Sequence, residues 1–137
     1  MKAVFDTNIF ISAFAIPGSK AQEAYLHALR RNFVLYSSVA ILTETAQELR
    51  GKFGWEPDKS TRLLKKIAKV AIIIKTRAHL HLLLDDPDNR VLECAEAACA
   101  DFIVTGDKHL LDLERFEAIE IIRLSGFLKK FSRSADR

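Results

Sequence analysis

Short, continuously apolar runs alternate along this chain with longer stretches whose apolar residues recur every three or four positions. Residues 2–6, KAVFD, are apolar up to a terminal acid and predict a buried strand. A helix is predicted over TNIFISAFA, stopping near Pro17 and Gly18. Ser19 is a candidate N-cap for a helix to about Arg31, with Ala21, Ala24, Tyr25, Ala28 and Leu29 at helical spacing. Residues 33–38, FVLYSS, predict a second strand, and Ser38 caps a helix over 39–51 with an inward stripe of Leu42, Ala46 and Leu49. After a break at FGWEPDKS, a helix runs from Pro57 or Asp58 to about Lys69, with Leu63, Leu64, Ile67 and Ala68 inward. VAIIIK, residues 70–75, is rich in β-branched residues without alternation and predicts a third buried strand. Residues 77–84, RAHLHLLL, read equally as a strand or a connector. A helix over 89–99 follows, on Val91, Leu92, Ala95 and Ala98, then a fourth strand at 102–104 ending in a glycine turn. A short helix in KHLLDL, a fifth strand at 118–123 and a last short helix in SGFLKKF complete the chain.

Apolar strands alternating with amphipathic helices are the signature of a parallel sheet covered on both faces. The expected fold class is α/β: a single three-layer α/β/α domain with a central, mostly parallel sheet of four to five strands. Its core is expected over about 2–123, with a short C-terminal helix and basic tail over 124–137. No repeat, low-complexity tract or linker interrupts the pattern.

Composition narrows the class. The chain has 137 residues, enough for one domain with a core, and its 49% hydrophobic content argues against disorder. No apolar run reaches the ~18 residues of a membrane span. Asp6 interrupts the N-terminal segment where a secretory signal would stay apolar, so a cytoplasmic location without a membrane partner is expected. Cys94 and Cys99, five residues apart, are separated by about 140° around a helix. They read as two small core residues in a reducing compartment. The net charge of +3 is compatible with a polyanionic partner. Cations crowd two segments: Lys59, Arg62, Lys65, Lys66 and Lys69, then Lys129, Lys130, Arg133 and Arg137. Basic flanks around an acidic centre suit a phosphate backbone held over metal ions, although two solvated faces give the same pattern.

Parallel sheets place their sites at the carboxyl ends of the strands. Asp6 ends strand 1, Asp107 follows strand 4 after Thr105 and Gly106, Asp88 begins the helix before strand 4, and Glu44 lies early in the helix after strand 2. Taken singly, the three aspartates read as helix caps and Glu44 as a solvated position. Taken together, acids converging on one crevice repel one another unless a cation joins them, and oxygen donors select Mg²⁺ or Mn²⁺. Other chemistries find little support. His79 and His81 would share one strand face, but neither they nor His27 and His109 form an H-x-x-x-H pair, which argues against zinc. No Gly-x-Ser-x-Gly, Walker A or G-x-G-x-x-G motif occurs.

The strand ending in Asp6-Thr7-Asn8, followed by DPDNRVLECAEAACADFIVTGDKHLL, closely resembles the PIN domain, and more narrowly its VapC-like toxin branch. The match runs from Lys2 to about Ile122. The resemblance implies a Mg²⁺- or Mn²⁺-dependent ribonuclease with one or two ions on Asp6, Glu44, Asp88 and Asp107. Glu44 is the second acid by its spacing of six from Ser38. The family acid is usually followed by Leu, whereas Thr45 follows Glu44 and the Glu48-Leu49 pair sits at another distance, so Glu48 stays an alternative. Asn8 and Thr105 match the family's supporting polar residues, and Asp86 or Asn89 is a candidate assistant. In-line attack of water would leave a 5′ phosphate and a 3′ hydroxyl. The cations of 59–69 and the tail are candidate RNA contacts. A cognate antitoxin and a homodimer are the implied protein partners.

Two rival readings follow from the same residues. A catalytically weak or inactive PIN fold would serve as an RNA- or protein-binding module. A haloacid dehalogenase-type phosphatase also begins with a strand ending in Asp, but wants a second Asp where this chain has Asn8.

Overall fold

Ala3, Val4 and Phe5 are all fully buried in the computed structural model, which describes residues 1–132. Successive strand residues face opposite sides of a sheet, so β1 (Lys2–Phe5) is covered on both faces. The same holds at Ile103 and Val104 of β4 (Phe102–Val104). With β2 (Val34–Ser38), β3 (Ile72–Ile74), β5 (Arg115–Phe116) and β6 (Ile119–Ile122), they form one sheet in the order β3-β2-β1-β4-β6-β5. All neighbours pair in parallel except β5 with β6.

The connecting helices are α1 (Thr7–Ala15), α2 (Lys20–Leu29), α3 (Val39–Gly51), α4 (Pro57–Val70), α5 (Asp86–Ala98), α6 (Lys108–Leu111) and α7 (Leu124–Ser132). Both serine caps form: Ser19 Oγ accepts the Gln22 amide at 3.1 Å, and Ser38 Oγ accepts that of Ile41 at 3.2 Å. These bonds satisfy donors that an isolated helix end leaves open. Leu42, Ala46 and Leu49 are buried, as their spacing predicts. An aromatic cluster packs against β1: Phe5 lies 5.6 Å from Phe10 and 5.8 Å from Phe33 between ring centroids. Phe127 of α7 stands edge-on to Phe33 at 5.0 Å and is fully buried, so the core extends past residue 123. No described helix is long and apolar enough to cross a membrane.

From β1 the chain crosses to β2 on one side, while β4 lies on the other. The strand order therefore reverses between β1 and β4, where a doubly wound sheet opens a crevice at its carboxyl ends. Phe5 is in register with Val104, which sets Asp6 and the Thr105-Gly106-Asp107 turn side by side at that opening.

Several expectations need correction. Residues 70–75 do not make a buried strand: only Ile72–Ile74 pair, at the sheet edge, and Ile72 is exposed. Residues 77–84 are a connector, so His79 and His81 share no strand face. In α4, Ala68 faces solvent and Ser60 is buried in its place. Helix α5 begins at Asp86, three residues before the expected start, because Asp85 takes the N-cap position and Pro87 suits the first turn. Asp88 therefore lies inside the first turn and is not a cap. Cys94 is buried, but Cys99 is exposed at the end of α5 in a left-handed conformation, φ 51°, that glycine usually supplies. The two-residue β5 is too short to show a period, and Glu117 turns the hairpin at φ 55° without an Asn-Gly signal.

Candidate active site

The chain leaves the carboxyl ends of β1 and β4 in two turns, and each carries an acid. The Asp6 amide donates to Val104 O at 3.1 Å, tying this residue to β4. Asp6 sits at the N-cap position of α1, yet its side chain makes no capping hydrogen bond. Its Oδ2 instead accepts a 2.7 Å hydrogen bond from Thr105 Oγ1. The same hydroxyl oxygen accepts the Asp107 amide at 2.9 Å, and the Thr105 amide donates to Ile122 O at 3.0 Å. One fully buried hydroxyl thus links two acids from different loops. Asp107 does cap its helix: Oδ1 accepts the amides of His109 at 2.8 Å and Leu110 at 3.2 Å.

Helix α5 supplies the third acid. Asp88 is buried, and among the described residues its Oδ2 has no hydrogen-bond partner. Burial, then the charges of Asp107, Asp6 and Asp85, push its carboxyl up to about 7. Burial also raises Asp6, with Asp107 adding to the effect and the Thr105 hydrogen bond opposing it. Helix α3 contributes two glutamates one turn apart. Glu48 pairs with Lys52 at 2.9 Å. Among the described residues Glu44 has no ion pair within that reach, and burial followed by the Glu48 charge holds its carboxyl above the usual range.

Asp6, Glu44, Glu48, Asp85, Asp88 and Asp107 line one pocket of about 250 Å³, with Asn8 and Lys52 also in its wall. The structure thus brings the four predicted acids together with Asn8, and sets Thr105 beneath two of them. Asp86 is exposed and lines an adjoining pocket of about 140 Å³ with Glu44 and Arg90. Asn89 does not reach the acids. It is fully buried, donating to Leu83 O and accepting from Leu83 N, each at 2.8 Å, and so pins the connector before α5. Lys59, Arg62, Lys65, Lys66 and Lys69 are exposed along α4, outside this pocket, and Lys129 and Lys130 lie on α7. Arg133 and Arg137 fall outside the described residues. Sequence reasoning overlooked Lys52, whose signal was its spacing of four from Glu48. Asp85, at the N-cap position of α5 and three residues before Asp88, is a further acid of the pocket wall.

The donor set is all oxygen, the choice of hard divalent cations. An unpartnered buried carboxylate oxygen on Asp88, whose pKa burial and the neighbouring acids raise, fits a cation in charge and in chemistry. As the side chains stand, no group of three or more His, Cys, Asp or Glu among the described residues is drawn together tightly enough to hold an ion, so capture needs side-chain rotation.

An uncharacterised protein of Methanocaldococcus jannaschii is 30% identical over 118 residues, spanning 82% of this chain and 75% of that protein. The fold is shared with VapBC2 from Rickettsia felis, solved bound to a DNA fragment from its promoter: TM-score 0.64, 17% identity, 90% of this chain and 98% of that one. VapBC-1 from nontypeable Haemophilus influenzae gives a TM-score of 0.60 at 14% identity, over 91% and 99% of the two chains. The PIN domain family model matches residues 2–109, which include every acid of the pocket. The chain belongs to the PIN domain family.

Proposed function

We propose that this protein is a divalent-metal-dependent endoribonuclease that hydrolyses RNA phosphodiester bonds at the acid pocket, and that it is the toxin of a toxin–antitoxin pair. The observation that carries the reading is the buried, unpartnered Oδ2 of Asp88 in a pocket shared with Asp6, Glu44 and Asp107. Those four residues would hold one or two Mg²⁺ or Mn²⁺ ions, which supply activation of water and neutralisation of phosphate charge. Thr105 holds Asp6 in place, and the amides of α6 orient Asp107. Lys52 stands beside the acids as a cation able to meet a substrate phosphate. The oxygen of water bonds to phosphorus as the bond to the 3′ oxygen breaks, and that oxygen leaves as a hydroxyl. The cations of α4 steer the strand by charge, so binding weakens with salt. An antitoxin partner is proposed from the fold shared with the VapBC structures. A homodimer is proposed from the family resemblance.

A second reading has one observation in its favour. The acids do not form a closed cluster as they stand, which suits a catalytically weak PIN fold that only binds RNA or protein. Incubation of RNA with wild type and Asp6→Asn, in Mn²⁺ and in EDTA, separates the two. The nuclease reading expects cleavage with 5′-phosphate ends in wild type with Mn²⁺ only. Equal cleavage by both proteins, or none by either, favours the binding module.

A further inference from the structure

Trp55, the only tryptophan of the chain, closes the turn between α3 and α4, where its amide donates to Leu49 O at 3.0 Å. With Phe14 and Leu63 it forms the apolar part of a pocket of about 370 Å³, rimmed by Lys59, Arg62 and Lys66. Lys59 Nζ lies 4.0 Å from the Trp55 ring centroid. Among the described residues, none of the five exposed α4 cations is in an ion pair with a carboxylate. An uncompensated basic helix beside an aromatic slot is the arrangement that single-stranded nucleic acids favour: phosphates follow the charges and bases stack on the rings.

Two stretches of chain link this pocket to the acids. Lys52, in the wall of the acid pocket, precedes Trp55 by three residues. Along α1, Asn8 lines the acid pocket and Phe14 the tryptophan pocket, about 9 Å apart along the helix axis and about 120° apart around it. A strand leaving the acids past Lys52 would meet Trp55 next. We propose that the Trp55 pocket is a base-stacking subsite for single-stranded RNA, with Lys59, Arg62 and Lys66 on the adjacent phosphates. This inference rests on the ribonuclease reading and adds to it a second point of grip. An exposed cation over an aromatic ring is a weak, reversible contact, so an incoming base takes that face and Lys59 turns to a phosphate.

The unique tryptophan makes the test direct. The full-length protein in EDTA, where cleavage is blocked, is titrated with an oligouridylate while Trp55 fluorescence is followed. Saturable quenching is expected, and an abasic ribose-phosphate oligomer of equal length should bind about tenfold more weakly. With labelled oligouridylate, Trp55→Leu should weaken binding about tenfold. Arg62→Gln, a change on the exposed rim, should weaken it about threefold and reduce the salt slope by about one. Asp88→Asn should bind as wild type while failing to cleave, which separates this subsite from the metal chemistry. Absence of quenching, or equal binding of the abasic oligomer, overturns the proposal. So does quenching by an acidic, leucine-bearing peptide but not by oligouridylate, which assigns the pocket to a protein.

Discussion

The hydroxyl of Thr105 donates to the carboxylate of Asp6 at 2.7 Å, joining two residues 99 positions apart across the β1–β4 seam. Because its oxygen also accepts the Asp107 amide, the bond sets the spacing of two acids, not one. Thr105→Val keeps the shape and removes both contacts. It should cost about 1.5–3 kcal/mol in urea unfolding, since the acceptor is a buried carboxylate, and reduce cleavage at least tenfold. Thr105→Ser should restore most of both. A Val variant as active as wild type would show that the hydroxyl does not position the acids.

The Asp88 carboxyl gives a pH signature. Its pKa is about 7 in the folded chain against an ordinary 3.8, so between those values the folded state keeps a proton that the unfolded chain has lost. Stability of the cation-free protein should therefore fall as pH rises from about 4 to about 7, then level off. Asp88→Asn removes the charge that causes the fall. In EDTA above pH 7 it should be more stable than wild type by about 1 kcal/mol, on the order of 4 °C. Superimposable melting profiles for the two proteins would contradict this.

The two glutamates of α3 should separate functionally. Glu48 is engaged by Lys52, while Glu44 has no cation within ion-pairing distance among the described residues. Glu44→Gln should lower kcat/KM with Mn²⁺ about 100-fold, some 2.7 kcal/mol of barrier. Glu48→Gln should lower it only about threefold. The reverse order would move the second acid to Glu48.

A buried glutamate secures the connector that leads into the site. Glu93 Oε2 accepts the amides of His79 at 2.7 Å and Leu80 at 2.8 Å. Its Oε1 lies 2.8 Å from Arg90 Nε, an ion pair whose angles fall outside those of a hydrogen bond. Glu93→Ala leaves two amides without their acceptor and Arg90 Nε without its ion-pair partner, and should cost about 3–5 kcal/mol. Hydrogen exchange at His79 and Leu80 should accelerate before the rest of the sheet. Uniform acceleration throughout the sheet would mean that Glu93 supports the core at large.

What the sequence made legible follows its strongest signals. Ser19 and Ser38 announced two helix starts because a cap is a local contact between neighbours. The alternation of apolar runs with helical stripes gave the parallel sheet, and the strand-end rule gave Asp6 and Asp107 their place. Elements that depend on distant partners were not readable. Ile72–Ile74 has the composition of a central strand, but only the sheet order shows that it lies at the edge. The left-handed residues Cys99 and Glu117 occupy positions that glycine or asparagine would have flagged. Asn89 looked like an assistant to the acids because it follows Asp88. On a helix, adjacent residues point about 100° apart, and Asn89 turns to Leu83 instead. Lys52 was overlooked because its one signal, a spacing of four from Glu48, is common on any exposed helix face.

The proposed cation site of Asp6, Glu44, Asp88 and Asp107 turns on the Oδ2 of Asp88. Mn²⁺ titration of wild type and Asp88→Asn above pH 7, followed by thermal unfolding, tests it most directly. The account predicts that Mn²⁺ raises the wild-type melting temperature by several degrees and that the variant hardly responds. An equal rise in both proteins, or none in wild type at millimolar Mn²⁺, would contradict it.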